Sequence, residues 1–148
     1  MPPIPANEFD HFLEAQSPIC DRVVRELAAG EKRAHWMWYI FPQLKGLGFS
    51  LTSQRFALDS LEQAGRFLSH PILGKRLREC TQLVLATEDR KVEDIFGYPD
   101  HLKFHSCMTL FALAPRAEPL FEQALQKYYS GRKDVKTLEL LGIHGFQK

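Results

Sequence analysis

Cysteine is scarce and unpatterned in this chain. Cys20, Cys80 and Cys107 are odd in number and far apart, so there is no CxxC pair for a zinc knuckle or a redox dithiol, and no even set for a disulfide framework. Isolated cysteines of this kind predict reduced, mostly buried thiols. Charge of one sign is lacking too. Nineteen lysines and arginines against eighteen aspartates and glutamates leave a formal net charge of +1, too little for a global field that would draw the chain onto nucleic acid or anionic lipid. Long hydrophobic runs are missing. The densest apolar stretch, Trp36 to Phe41, is far shorter than the roughly 20 residues a membrane-spanning helix needs. The start, Met1-Pro2-Pro3-Ile4-Pro5, carries neither the basic nor the apolar region of a secretory leader. These absences predict a cytoplasmic protein without a nucleic-acid or membrane partner. Walker loops, GxSxG elbows, dinucleotide fingerprints and EF-hand loops are absent as well.

What is present is an ordinary globular composition, 45% hydrophobic and 25% charged over 148 residues, enough to close one core without disulfide or metal staples. A single domain over 1–148, with an ordered core of about 8–141, is expected, and the tail from Gly142 to Lys148 is expected to be loosely held. The alternating period of two that announces a sheet is absent, while helical spacing and helix punctuation recur. Asn7 is placed to cap a first helix carrying Phe9, Phe12 and Leu13. Ser17-Pro18 reads as a cap followed by proline at the first helical position, opening a helix with Ile19, Val23, Val24 and Leu27 that closes at Gly30. Ser50 is placed to cap a helix through Leu58, and Ser60 with Gln63 forms a capping-box pattern. His70-Pro71 separates that element from an amphipathic helix in which Leu73, Leu77, Cys80 and Val84 share a face. A short helix carries Val92, Ile95 and Phe96. Pro119 starts a helix with Phe121, Ala124, Leu125 and Tyr128, and Asp134 caps a last one through Leu141. The segment 101–114 is apolar on nearly every side, which places it in the middle of the fold. The reading is all-α, with about seven or eight short helices around that central helix.

Three stretches are distinctive: Glu31-Lys32-Arg33-Ala34-His35-Trp36-Met37-Trp38-Tyr39-Ile40-Phe41-Pro42-Gln43-Leu44-Lys45-Gly46-Leu47-Gly48, His70-Pro71-Ile72-Leu73-Gly74-Lys75-Arg76-Leu77, and Lys103-Phe104-His105-Ser106-Cys107-Met108-Thr109-Leu110-Phe111. Together they resemble a bacterial and fungal family known as domain of unknown function 1810, over roughly residues 8–141. The resemblance implies an all-helical single domain and lends no activity.

The residues that could carry chemistry gather in two of these stretches. Trp36 and Trp38 offer flat amphipathic surfaces beside Arg33, His35, Gln43 and Lys45. Gly46 and Gly48 would let backbone approach a ligand just before the helix capped by Ser50. Lys103, Ser106 and Thr109 add polar groups from the central helix, and the whole set would suit a small polar or anionic, nucleotide-like ligand. The competing reading makes the aromatics plain core and the cations solvated. Lys103 and Ser106, three apart, share a helical face as a lysine base and serine nucleophile would. Lys103 can equally pair with Asp100, and Ser106 can bond back to a carbonyl of its own helix. His101 and His105 have the four-residue spacing of a two-histidine metal site but no third ligand, so no metal is expected. His11 and His144 read as surface residues. A non-enzymatic interaction module with an exposed aromatic patch is the alternative from another functional class. Cofactor and oligomeric state are not legible.

Overall fold

The computed structural model describes residues 7–143. His144 and the tail beyond it lie outside the described residues. Among the described residues ten helices follow one another: α1 (Asp10–Gln16), α2 (Cys20–Ala28), α3 (Met37–Ile40), α4 (Leu51–Arg55), α5 (Leu61–Ser69), α6 (Leu73–Ala86), α7 (Val92–Phe96), α8 (Asp100–Leu113), α9 (Pro119–Tyr129) and α10 (Val135–Leu140). Among the described residues there is no strand, so the chain is all-α. The count exceeds seven or eight because α3, α4 and α7 are barely more than one turn each, too short to display a period.

Side-chain caps set three of the helix starts. The Ser50, Ser60 and Asp134 side chains accept from the backbone N–H of Ser53, Gln63 and Thr137, opening α4, α5 and α10. The Gln63 side chain reaches back to the N–H of Asp59 rather than Ser60, one residue earlier than a standard capping box. His70 closes α5, and its Nδ1 accepts from Ile72 and Leu73 at the entrance to α6. Two expected caps are not caps. Helix α1 begins three residues after Asn7, whose carbonyl accepts from Asp10 in a turn, and Ser17 ends α1 instead of starting α2. Helix α4 stops at Arg55 because Leu58 is taken elsewhere: its N–H donates to the Gln43 carbonyl at 2.9 Å, and its carbonyl accepts from Lys45 at 2.8 Å. That isolated parallel bridge, Leu44 to Leu58, pins the segment after α3.

Helix α8 is the centre of the fold. It packs against α5, α7, α9 and α10, and Phe104, Cys107, Met108, Thr109, Leu110 and Phe111 are all fully buried. Aromatic contacts radiate from it. Phe111 lies between Phe67 and Phe121, with ring centroids 5.7 and 5.6 Å away, and Phe104 stacks on Phe96 and meets Phe41 edge-on. Burying one such ring contributes roughly 2–3 kcal/mol, so this network holds the helices around α8 in place. His11 is not a surface residue: it is half-buried against Phe12 and Phe56, and burial lowers its pKa. The three cysteines are free thiols. Burial pushes Cys80 up to about 12 and Cys107 well above the ordinary thiol value, which leaves both protonated and unreactive. No helix among the described residues is long and apolar enough to cross a membrane.

Candidate functional site

The segment between α2 and α4 is built around a buried carboxylate. Glu26 projects from the last turns of α2, and its Oε1 accepts from the backbone N–H of Arg33 (2.8 Å) and Ala34 (3.1 Å) and from Trp36 Nε1 (2.8 Å). Arg22 Nε completes the set on Oε2 at 3.1 Å. Burial alone would raise the Glu26 pKa, but these four donors outweigh it and hold it at about 2. Trp36 is thereby committed to the core, 1% exposed. The chain then makes one turn, α3, which places Trp38 on the half-buried side.

A second ionic relay joins this segment to α8. Lys32, nearly buried, reaches Asp100 Oδ2 at 2.6 Å and lies 5.1 Å over the Trp36 ring. Asp100 Oδ1 accepts from Lys103 at 2.9 Å, and the Lys103 ammonium sits 4.1 Å over the Trp38 ring, a favourable cation–π placement. Burial raises the Asp100 pKa, but hydrogen bonds from Lys32 and Lys103 bring it below the usual carboxylate range. The order Trp36, Lys32, Asp100, Lys103, Trp38 thus places a cation–anion–cation row between two indole rings.

Beside it opens a cleft of about 350 Å³, lined by Trp38, Gln43, Leu47, Gly48, Pro99, Leu102, Lys103, Ser106, Asp134 and Lys136. Three separate stretches of chain meet there: α3 with the segment after it, the first half of α8 with Pro99 before it, and the entrance to α10. The floor is tied together at Asp134. Its Oδ2 accepts from Ser106 Oγ (3.1 Å), Thr137 N (3.0 Å) and Thr137 Oγ1 (2.6 Å), while its N–H donates to Thr109 Oγ1 at 2.8 Å. Gln43 is different. It is 93% buried, taking the complement of its 7% exposure, and among the described residues no hydrogen bond closes on its carboxamide. Among the described residues no buried side-chain nitrogen or oxygen is orphaned, so that carboxamide opens onto the cleft it lines.

Of the residues expected at a site, Trp38, Gln43, Gly48, Lys103 and Ser106 come together in this cleft. The others stand outside its lining. Arg33 is exposed and pairs with Glu31, His35 and Lys45 are exposed, and Thr109 is fully buried behind Ser106. Ser50 is occupied in capping α4. The glycines serve packing: Gly46 holds φ +105° against Leu140, and a Cβ on Gly48 would fall 2.5 Å from the Ser53 side chain. The Lys103–Asp100 pair forms, and Ser106 also approaches the Leu102 carbonyl at 3.2 Å. His105 turns away, stacked on Tyr129 at 3.9 Å with Nε2 on the Arg132 carbonyl. His101 lies against the Gly97 carbonyl. Among the described residues no group of three or more His, Cys, Asp or Glu side chains is arranged to hold a metal ion. Asp134 and Lys136 entered from thirty residues away in sequence, where their only signal was the capping position of Asp134.

The family described as protein of unknown function (DUF1810) matches residues 6–141. A crystal structure of a conserved hypothetical protein from Mycobacterium tuberculosis is similar in fold, with a TM-score of 0.89 and 49% identity, covering 92% of this chain and 97% of that one. No curated protein matches.

Proposed function

The chain belongs to the DUF1810 family, which supplies a fold and no activity, and we propose that the Trp38–Lys103 cleft binds a small polar or anionic ligand. The observation that carries this reading is the concavity itself: an aromatic wall, an ammonium group and an open carboxamide converge in a volume at the lower end of the range for small-molecule sites. Lys103 supplies the charge and Trp38 the flat surface. Ser106 and Asp134 hold the floor, and their hydrogen bonds fit a positioning role better than nucleophilic chemistry. The buried thiols agree with a cytoplasmic setting, and a cleft with so few cations is poorly suited to nucleic acid.

A thermal-shift screen against nucleotides, sugar phosphates and cofactors tests the reading. A ligand at a hundredfold its Kd stabilises the fold by about 2.7 kcal/mol. Lys103→Met should abolish that stabilisation while keeping the fold, since it removes the charge and keeps most of the stem. His105→Gln should bind nearly as wild type. A stable protein that answers to nothing in such a library, or a Lys103→Met variant that binds every hit unchanged, refutes the site.

One observation favours a second reading, an interaction module. Phe49 and Leu51 are 86% and 85% exposed and Tyr98 is 82% exposed, and Phe49 and Tyr98 are chain neighbours of the lining residues Gly48 and Pro99. Such side chains suit a protein partner. Replacing Phe49 and Tyr98 with serine should leave small-ligand affinity untouched, whereas a partner would be lost.

A further inference from the structure

The cleft offers two recognition elements of different kinds, and together they narrow the ligand class. The first is charge. Lys103 and Lys136 line the cleft, and Lys32 joins through Asp100; against these three lysines stand Asp100 and Asp134. One positive charge is left over. Asp134 Oδ2 is already saturated by three donors, and the Lys103 ammonium, with three N–H groups, spends one on Asp100 and rests on the Trp38 face. A single negative charge on the ligand balances this set, whereas a phosphomonoester or a polyphosphate brings two or more and would leave an uncompensated charge beside Asp100 and Asp134.

The second element is the Gln43 carboxamide. Among the described residues it makes no hydrogen bond and it lines the cleft, and the backbone that follows it is pinned by the bridge at Leu44, the Gln43 carbonyl accepting from the Leu58 N–H and the Lys45 N–H donating to the Leu58 carbonyl. A carboxamide presents an acceptor next to a donor in one plane. The complementary edge is an adjacent donor and acceptor, such as the N–H and C=O of a lactam or imide in an unsaturated heterocycle, and the Trp38 ring supplies a wall for a flat body.

We infer that the cleft selects a planar heterocyclic monoanion, with Gln43 reading a lactam edge and Lys103 taking the negative charge. This rests on the small-ligand reading of the cleft and makes it specific. Fused or single rings with one carboxylate fit the volume.

Isothermal titration with four probes separates the two elements: orotate (one charge and the edge), uracil (edge only), benzoate (charge only) and adenosine monophosphate (a phosphomonoester). Orotate is expected to bind at least tenfold more tightly than uracil or benzoate. Gln43→Leu should then lower orotate affinity at least tenfold and leave benzoate unchanged, while Lys103→Met should lower orotate and benzoate and leave uracil unchanged. Gln43→Glu, which removes both donors and adds a repelling charge, should abolish orotate binding, and circular dichroism checks that each variant is folded. Benzoate binding as tightly as orotate, or orotate binding unaffected by both Gln43 variants, overturns the edge readout. Adenosine monophosphate binding more tightly than orotate in a Lys103-dependent way overturns the monoanion and leaves the cleft as a ligand site. Failure of all four probes overturns the inference, while the broader library decides the cleft itself.

Discussion

Replacing Glu26 by glutamine tests whether the segment that carries both tryptophans is held by a charge. The amide keeps an oxygen for Arg33 N, Ala34 N and Trp36 Nε1, but it loses the negative charge those donors share and turns an NH2 toward the Arg22 guanidinium. Its magnitude follows from titration. The Glu26 pKa falls from 4.5 to about 2 in the fold, so ionisation of this one group contributes about 3 kcal/mol at neutral pH. A depressed carboxylate pKa stabilises the fold above the unfolded value, and the contribution is lost as pH falls toward the folded one. Glu26→Gln should therefore cost about 3 kcal/mol at pH 7, with less than half of that difference remaining near pH 3. Urea unfolding followed by tryptophan fluorescence reads this directly: at a slope of about 2 kcal/mol/M the midpoint drops by about 1.5 M. A loss below about 1 kcal/mol at pH 7, or the same gap at both pH values, would refute the account of Glu26 as a charged anchor.

Three further outcomes follow from the packing. Phe111→Ala should cost about 3–5 kcal/mol in denaturant unfolding, because a fully buried ring between Phe67 and Phe121 leaves a cavity; a loss under 1 kcal/mol would make α8 peripheral. Gly74→Ala should cost about 3 kcal/mol, since its Cβ would fall 2.0 Å from the Leu68 carbonyl oxygen, and a variant that unfolds at the wild-type midpoint would contradict that contact. Asp134→Ala should cost about 2 kcal/mol through the lost cap and should speed hydrogen exchange at Thr137 and Leu138, whereas unchanged exchange there would mean that α10 does not depend on its cap.

How far the sequence disclosed this arrangement varies with the length of the signal. Helices α6, α8 and α9 each run through three turns or more, so their periods are visible, and Ser50, Ser60 and Asp134 cap as their side chains suggest. Asn7 and Ser17 are also good cap residues and do not cap: Asn7 stands in a turn three residues ahead of α1, and Ser17 is still helical at the end of α1. The run from His35 to Phe41 holds a single helical turn, Met37–Ile40, a length at which periodicity carries no information, and Trp36 and Trp38 could not be told apart. What separates them is Glu26, ten residues before Trp36, which takes one indole N–H into the core. At the cleft, Trp38, Gln43, Gly48, Lys103 and Ser106 could be named from composition and spacing. Lys136 and Leu47 could not, since nothing local marks a residue whose neighbours in space come from another third of the chain.

The tie at Asp134 has a consequence for dynamics. The carboxylate that starts α10 also grips Ser106 on α8, and its N–H is held by Thr109, so the last helix cannot melt from its first turn without opening the cleft floor. Local unfolding of α10 and opening of the cleft floor are therefore coupled, and by linkage the coupling would run both ways with any ligand the cleft holds. A bound molecule would slow exchange throughout α10 though it touches only the entrance, and a truncation that frays α10 would weaken binding at Lys103 and Gln43 without altering either. If the cleft takes a ligand, the order of α10 reports its occupancy.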